Sequence, residues 1–297
     1  MYKFNILVFN YISTMKQNAK TLTTLSFLLT GLFVSCFLPA DLMAQGNLLV
    51  TPKRVVFEGS KKSEEINLAN IGKDTATYII SVIQIRMNED GSFERITKPD
   101  SAQNFADRNI RFFPRSVTLG PNEAQTVKVQ FTKSNDLATG EYRSHLYFRA
   151  SPPEKPLGDI ELQKDDSILS VRLIPVYGIS IPVIIRKGES TASASISDVK
   201  FRMEKDTVPA VDITFNRSGS MSVYGDVTVN HVSPQGVVTR VGSVKGMAVY
   251  TPNSKRRFHL VLHNYKGIDF HSGKLQVVYA DQSSKSGRLA EKEIDLN

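Results

Sequence analysis

Residues 168–185 read ILSVRLIPVYGISIPVII: eighteen consecutive positions with no acidic side chain and one arginine, Arg172. As a single strand at about 3.3 Å per residue, this run would span roughly 60 Å, well beyond a typical strand. Pro175, Gly178 and Pro182 must bend it or lie on a sheet edge, because proline has no N–H to give to a ladder. Alternation puts Leu169, Val171 and Leu173 on one face, and Tyr177, Ile179, Ile181 and Val183 continue that parity. An apolar strand of this length is an aggregation liability unless its own core or a partner covers it.

On either side the composition changes. Residues 151–167, SPPEKPLGDIELQKDDS, form a polar, proline-rich and charged loop, and Arg186-Lys187-Gly188-Glu189-Ser190 is a short polar linker. Upstream, nearly every apolar segment has the two-residue period of a strand. Arg54–Glu58, Ile66–Ala69 and Tyr78–Arg86 are such segments, and Asn88-Glu89-Asp90-Gly91 supplies turn residues after the third. Gln125–Thr132 places Val127, Val129 and Phe131 on one face, and Gly140–Ala150 does the same for Tyr142, Leu146 and Phe148. Downstream, strands are expected at 196–202, 210–216, 224–232, 237–242, 257–263 and 274–280. Short strands at this spacing, with turn signals between them, read as all-β sandwiches. The 297 residues suit two. The expected organisation is a signal peptide over 1–44, an N-terminal immunoglobulin-like domain over 46–186 and a C-terminal one over 187–297.

The N-terminus has a basic start at Lys16 and Lys20, an apolar stretch from Leu22 to Leu38, and a small residue at Ala44. That order is the pattern of a cleaved secretory signal, with Gln45 as the mature start and the periplasm as destination. Met15 opens the pattern better than Met1. The rival reading, an uncleaved anchor, meets an apolar stretch near the lower limit for a span and broken by Pro39 and Asp41. Cys36, the single cysteine, follows Phe33-Val34-Ser35, a loose version of a lipoprotein box with Phe where Leu is usual. Cleavage at Ala44 leaves a mature chain with no disulfide and no membrane span, so its stability rests on core burial. The net charge of +8 could suit nucleic acid, but export and the lack of a basic run interleaved with aromatics argue against that partner.

Five histidines are scattered through the chain: His145, His231, His259, His263 and His271. His259 and His263 have a helical chelating spacing, but on a strand they stand about 13 Å apart, too far to share an ion. The sequence has no glycine-rich phosphate loop, no G-x-S-x-G elbow and no H-E-x-x-H. The acid pairs Glu64-Glu65 and Asp165-Asp166 read as solvated charge. Neither a catalytic nor a metal constellation nor a cofactor is expected.

Several stretches, in order, resemble the periplasmic pilus chaperones of the PapD-like superfamily. Thr51–Gly59 (TPKRVVFEG) is similar to their first strand, and Ile66–Asn70 to their second strand with its closing Asn. Pro114–Val129 and Tyr142–Phe148 (YRSHLYF) are similar to later segments that precede the long strand. The resemblance spans about residues 47–186 and weakens beyond. It implies two immunoglobulin-like domains in a boomerang arrangement and an ATP-independent chaperone that lends its long strand to a client lacking one. Leu169, Val171 and Leu173 would be the donor face, and Arg54 the anchor for the client's terminal carboxylate. Secreted pilus or surface subunits are the implied partners, with an outer-membrane assembly pore as a further candidate. The family's second anchoring cation, a Lys, aligns near Ser180 here, and Lys187 lies too far along to replace it. Of the family's buried charge triad, Lys128 fits the first position, whereas Arg143 and Ile184 stand where Glu and Arg are expected. A structural immunoglobulin-like surface or pilus component remains the alternative.

Overall fold

The computed structural model describes residues 47–132, 137–151, 176–281 and 287–296. Its first half consists of ten strands: β1 (Leu48–Thr51), β2 (Val55–Phe57), β3 (Ser63–Asn70), β4 (Ala76–Met87), β5 (Phe93–Ile96), β6 (Ile110–Phe113), β7 (Ser116–Leu119), β8 (Ala124–Phe131), β9 (Gly140–Ala150) and β10 (Gly178–Lys187). One 3₁₀ turn, Asp107–Asn109, precedes β6. The strands form a four-stranded sheet in the order β1-β3-β8-β6, facing a sheet in the order β2-β10-β9-β4-β5 to which β7 adds by pairing with β4. Alternation fills the space between them with Val55, Phe57, Ile66, Leu68, Ile80, Val127, Val129, Leu146, Phe148, Ile181, Val183 and Ile185, all buried.

Asn70, the residue that closes β3, is buried and satisfied. Its amide donates to the carbonyls of Asp74 and Leu119 and accepts from the Gly72 N–H. The Asn88–Gly91 turn closes with Gly91 at φ +82°, a backbone conformation glycine adopts without a Cβ penalty. Five short or charged strands escape sequence periodicity: β1, β5, β6, β7 and, in the second half, the last strand. They are too short, or too charged on both faces, to show a two-residue apolar period.

The second half has seven strands: β11 (Ser193–Glu204), β12 (Val208–Ser218), β13 (Val223–Val232), β14 (Val238–Val249), β15 (Lys255–Val261), β16 (Lys274–Ala280) and β17 (Arg288–Asp295). They pair as β11-β12-β15 and β14-β13-β16-β17, enclosing Ile213, Phe215, Val227, Val229, Leu275, Val277 and Tyr279. This is the expected all-β, double-sandwich class. The second core also takes in Met87 from β4 and Ile184 from β10, with Val56 of β2 packed against it. The outer face of the first half's larger sheet thus continues the second core.

The long apolar run is divided. Residues 178–187 form β10, a strand whose odd positions Ile181, Val183 and Ile185 face the first core. The expected donor residues Leu169, Val171 and Leu173 lie outside the described residues.

Candidate functional site

β10 pairs with β9 along its whole length, from Gly178 opposite Arg149 to Lys187 opposite Gly140. On its other side β2 pairs only with Val183, Ile184 and Ile185, in parallel. Among the described residues, Gly178–Pro182 therefore has a strand on one side only. The bond from the Ala150 N–H to the Tyr177 carbonyl, 2.9 Å, sets the phase of the ladder. Odd residues bond β9, so the N–H groups of Gly178 and Ser180 point to the open side. Pro182, which has no N–H, occupies the next position on that side, where its missing donor costs no ladder bond. A Cβ at Gly178 would lie 2.4 Å from the ring of Tyr147, so a larger residue there needs that side chain to move.

Arg54 stands at the foot of this open edge, one residue before β2 begins and beside Pro182. Its guanidinium stacks over the ring of Tyr224 on β13 at 3.9 Å, a cation–π contact. Its Nε is buried and unbonded, and among the described residues no carboxylate pairs with it. An N–H held in that state is a donor waiting for an acceptor. Ser180, aligned with the family's second cation, is exposed on the same strand edge.

Below Arg54, toward the second half, lies a polar row on the same face of the sheet. The Glu141 carboxylate, on β9, has no solvent exposure. It accepts from the Ser222 N–H at 3.0 Å, the Ser222 hydroxyl at 2.7 Å, the Thr251 hydroxyl at 3.3 Å and the Arg186 Nε at 3.3 Å. Arg186 also donates to the Ser222 carbonyl at 2.9 Å and approaches Glu58 at 3.6 Å. Arg143, two residues from Glu141, is 3% exposed and lies over the ring of Tyr250 at 4.1 Å. It makes one bond, Nη2 to the Thr251 carbonyl at 3.3 Å, and leaves Nε and Nη1 unpaired. Burial lowers its affinity for the proton, while Tyr250 and Glu141 act in the opposite sense. His145, the next in the row, is buried with Nδ1 unbonded; burial, then the nearby Arg143 charge, push it down to about 3.

The positions aligned with the family's buried charge triad do not form a charge group here. Ile184 packs in the second core, Arg143 stacks on Tyr250 rather than joining an ion pair, and Lys128 is exposed on the other sheet. The carboxylate–guanidinium pair is Glu141 with Arg186, which are register partners across β9 and β10. Glu141, Arg143 and His145 alternate opposite the apolar Tyr142, Leu146 and Phe148, and that polar period was the available signal of a second covered face. Tyr224 and Tyr250 carried no such signal.

The remaining histidines are unconnected with this cleft. His231 is buried and bonds the carbonyls of Asp269 and Ser272. His259 lies on β15 beside Asp212 at 2.9 Å and Glu204 at 3.6 Å, while His263 stacks on Tyr265. Among the described residues, no group of three His, Cys, Asp or Glu side chains could hold a metal ion, and no helix is long and apolar enough to cross a membrane.

A sequence profile of the Fn3-like domain matches residues 56–148. No curated protein matches the sequence. Solved structures similar to this chain include a chaperone–tip adhesin complex of CFA/I fimbriae biogenesis, at 11% identity over 84% of this chain and 98% of that one, with a TM-score of 0.40. The Pseudomonas aeruginosa CupB2 chaperone matches at 11% identity over 84% and 99% of the two chains, with a TM-score of 0.39. The YadV chaperone matches at 12% identity over 84% and 100%, with a TM-score of 0.40. No site residue is carried over from these structures.

Proposed function

We propose that this chain is a non-catalytic chaperone of the periplasm that holds secreted pilus or surface subunits by strand pairing along the open edge of β10 before passing them to an outer-membrane assembly pore. The observation that carries this reading is the coincidence of two unmet bonding demands. The N–H groups of Gly178 and Ser180 face outward on an edge that ends at Arg54, a half-buried guanidinium with no carboxylate partner among the described residues. A client strand lying in line with β2 meets both at once. Its carboxyl end reaches Arg54 only if it runs parallel to β10, as β2 does. The guanidinium then takes the terminal carboxylate, while the ladder supplies backbone bonds.

Upstream of this edge, Leu169, Val171 and Leu173 alternate in sequence, and on this reading their side chains enter the client's core. Full burial of each contributes about 1.5–3 kcal/mol. Export by cleavage after Ala44 delivers the chaperone to the compartment where such clients unfold. The test is affinity purification of the tagged chain from periplasm, for wild type, Arg54→Ala and Leu169→Glu/Val171→Glu/Leu173→Glu. Stoichiometric subunits with the wild type, lost in both variants at unchanged melting temperature, support the reading. Recovery of the same proteins by both variants rejects it.

A further inference from the structure

A second open edge lies on the opposite sheet, and its chemistry differs. β6 pairs with β8 alone, from Ile110 opposite Phe131 to Phe113 opposite Lys128. The Thr132 N–H bonds the Asn109 carbonyl at 2.7 Å, which fixes the ladder phase. Odd residues of β6 bond β8, so the N–H and C=O of Ile110 and Phe112 point to the outer side, where no described strand pairs with them. The side chains of Ile110 and Phe112 are buried in the first core, while Arg111 and Phe113 stand on the outer surface. Phe113 is 76% exposed, the most exposed large apolar residue described.

Around it cations are in excess. Arg108, Arg111, Arg115 and Lys128 are exposed, and among the described residues none has a carboxylate partner. Arg115 lies over the ring of Phe112 at 3.9 Å, where it caps the core side of the strand. Asp107 is adjacent in sequence and Glu65 is opposite Lys128 in the ladder, so cations outnumber carboxylates here by two to one. Single charges on an edge strand guard against pairing. Four cations do so against another copy of this chain, whose edge carries the same charges, and have the opposite effect on an acidic strand. Guarding alone also leaves the exposed Phe113 without a role, since an aromatic at an edge invites contact.

We infer that the β6 edge is a docking surface for an extended acidic segment of a partner protein, which adds as a strand beside Ile110–Phe113 and packs an apolar side chain on Phe113. This surface is independent of the client cleft: it lies on the other sheet and shares no residue with it. The probe is a fluorescein-labelled peptide of alternating Glu and Val, read by anisotropy against the full mature chain. A Lys–Val peptide, and a Glu–Val peptide N-methylated on alternate residues, serve as controls. The Glu–Val peptide should bind, weaken as salt rises, and lose about tenfold in affinity on Arg111→Glu and on Phe113→Ser, with both variants melting as wild type. The N-methylated peptide should fail, because strand addition needs its N–H groups. Equal binding of the Lys–Val peptide, retention by the N-methylated peptide, or retention by both variants would overturn the inference. So would co-sedimentation of wild type, lost on Arg111→Glu, with 3:1 phosphatidylethanolamine–phosphatidylglycerol vesicles in place of peptide binding, since the edge would then serve a membrane.

Discussion

Replacing Glu141 by Ala should cost this protein a large share of its stability. The carboxylate is fully buried and accepts three donors at one oxygen, from the Ser222 N–H, the Ser222 hydroxyl and Arg186, plus the Thr251 hydroxyl at the other. Breaking a buried ion pair by removing one partner costs about 3–5 kcal/mol. The lower end applies here, because Arg186 keeps some solvent access and its approach to Glu58 at 3.6 Å. For a chain of this size that corresponds to a fall of roughly 6–12 °C in melting temperature. Glu141→Gln keeps an acceptor for both Ser222 donors and should lose only about 1–2 kcal/mol. Urea unfolding followed by far-UV circular dichroism reads both. A loss below about 1 kcal/mol in Glu141→Ala, or equal losses in the two variants, would show that the carboxylate does not pin the halves together.

Arg143→Met should leave stability unchanged or raise it, since the thioether can pack on Tyr250 while two unpaired buried nitrogens disappear; a loss beyond about 2 kcal/mol in the same urea assay contradicts this. His145, pushed down to about 3 from an unfolded value near 6.5, gives the unfolded chain the extra proton between those values, so stability is full above pH 6.5 and falls as pH drops toward 3. At pH 4.5 about 2–3 kcal/mol is lost by this route, and His145→Leu should flatten the acid limb of a melting-temperature profile. Ile184→Ala, although made in a first-half strand, should speed amide exchange in β12 and β13, because Ile184 fills the second core. Intact mass of the periplasmic protein should begin at Gln45, and a mass retaining Met1 or Met15, or a lipid on Cys36, excludes that cleavage.

The all-β class and the main strands of both halves were legible because alternating Val, Ile, Leu and aromatic residues leave one face to bury, as in Val127 and Val129 or Leu146 and Phe148. Strands such as Phe93–Ile96 and Arg288–Asp295 were not, since edge strands keep charge on exposed positions and lose the period. Of the site residues named from the sequence, Arg54 alone falls among the described residues. Arg54 was named from a motif, but its stacking on Tyr224 and its unbonded Nε depend on how the second sandwich packs, which no local pattern encodes. Pro182 was readable as an edge residue from its missing donor, and the structure places it on the open side. The Glu141–Arg186 pair was not anticipated, because its bonds to Ser222 and Thr251 depend on how the second sandwich packs.

The most direct test of the proposed strand pairing is residue-resolved amide exchange on the free protein and in complex with any subunit that co-purifies with it from periplasm. In the free protein Gly178 and Ser180 should exchange fast, while Ile179 and Ile181, bonded to β9, exchange slowly. In the complex both open-edge amides should slow by at least about tenfold, and Arg54→Ala should return them to the free rate. Unchanged exchange at Gly178 and Ser180 in a stoichiometric complex would contradict strand pairing along β10.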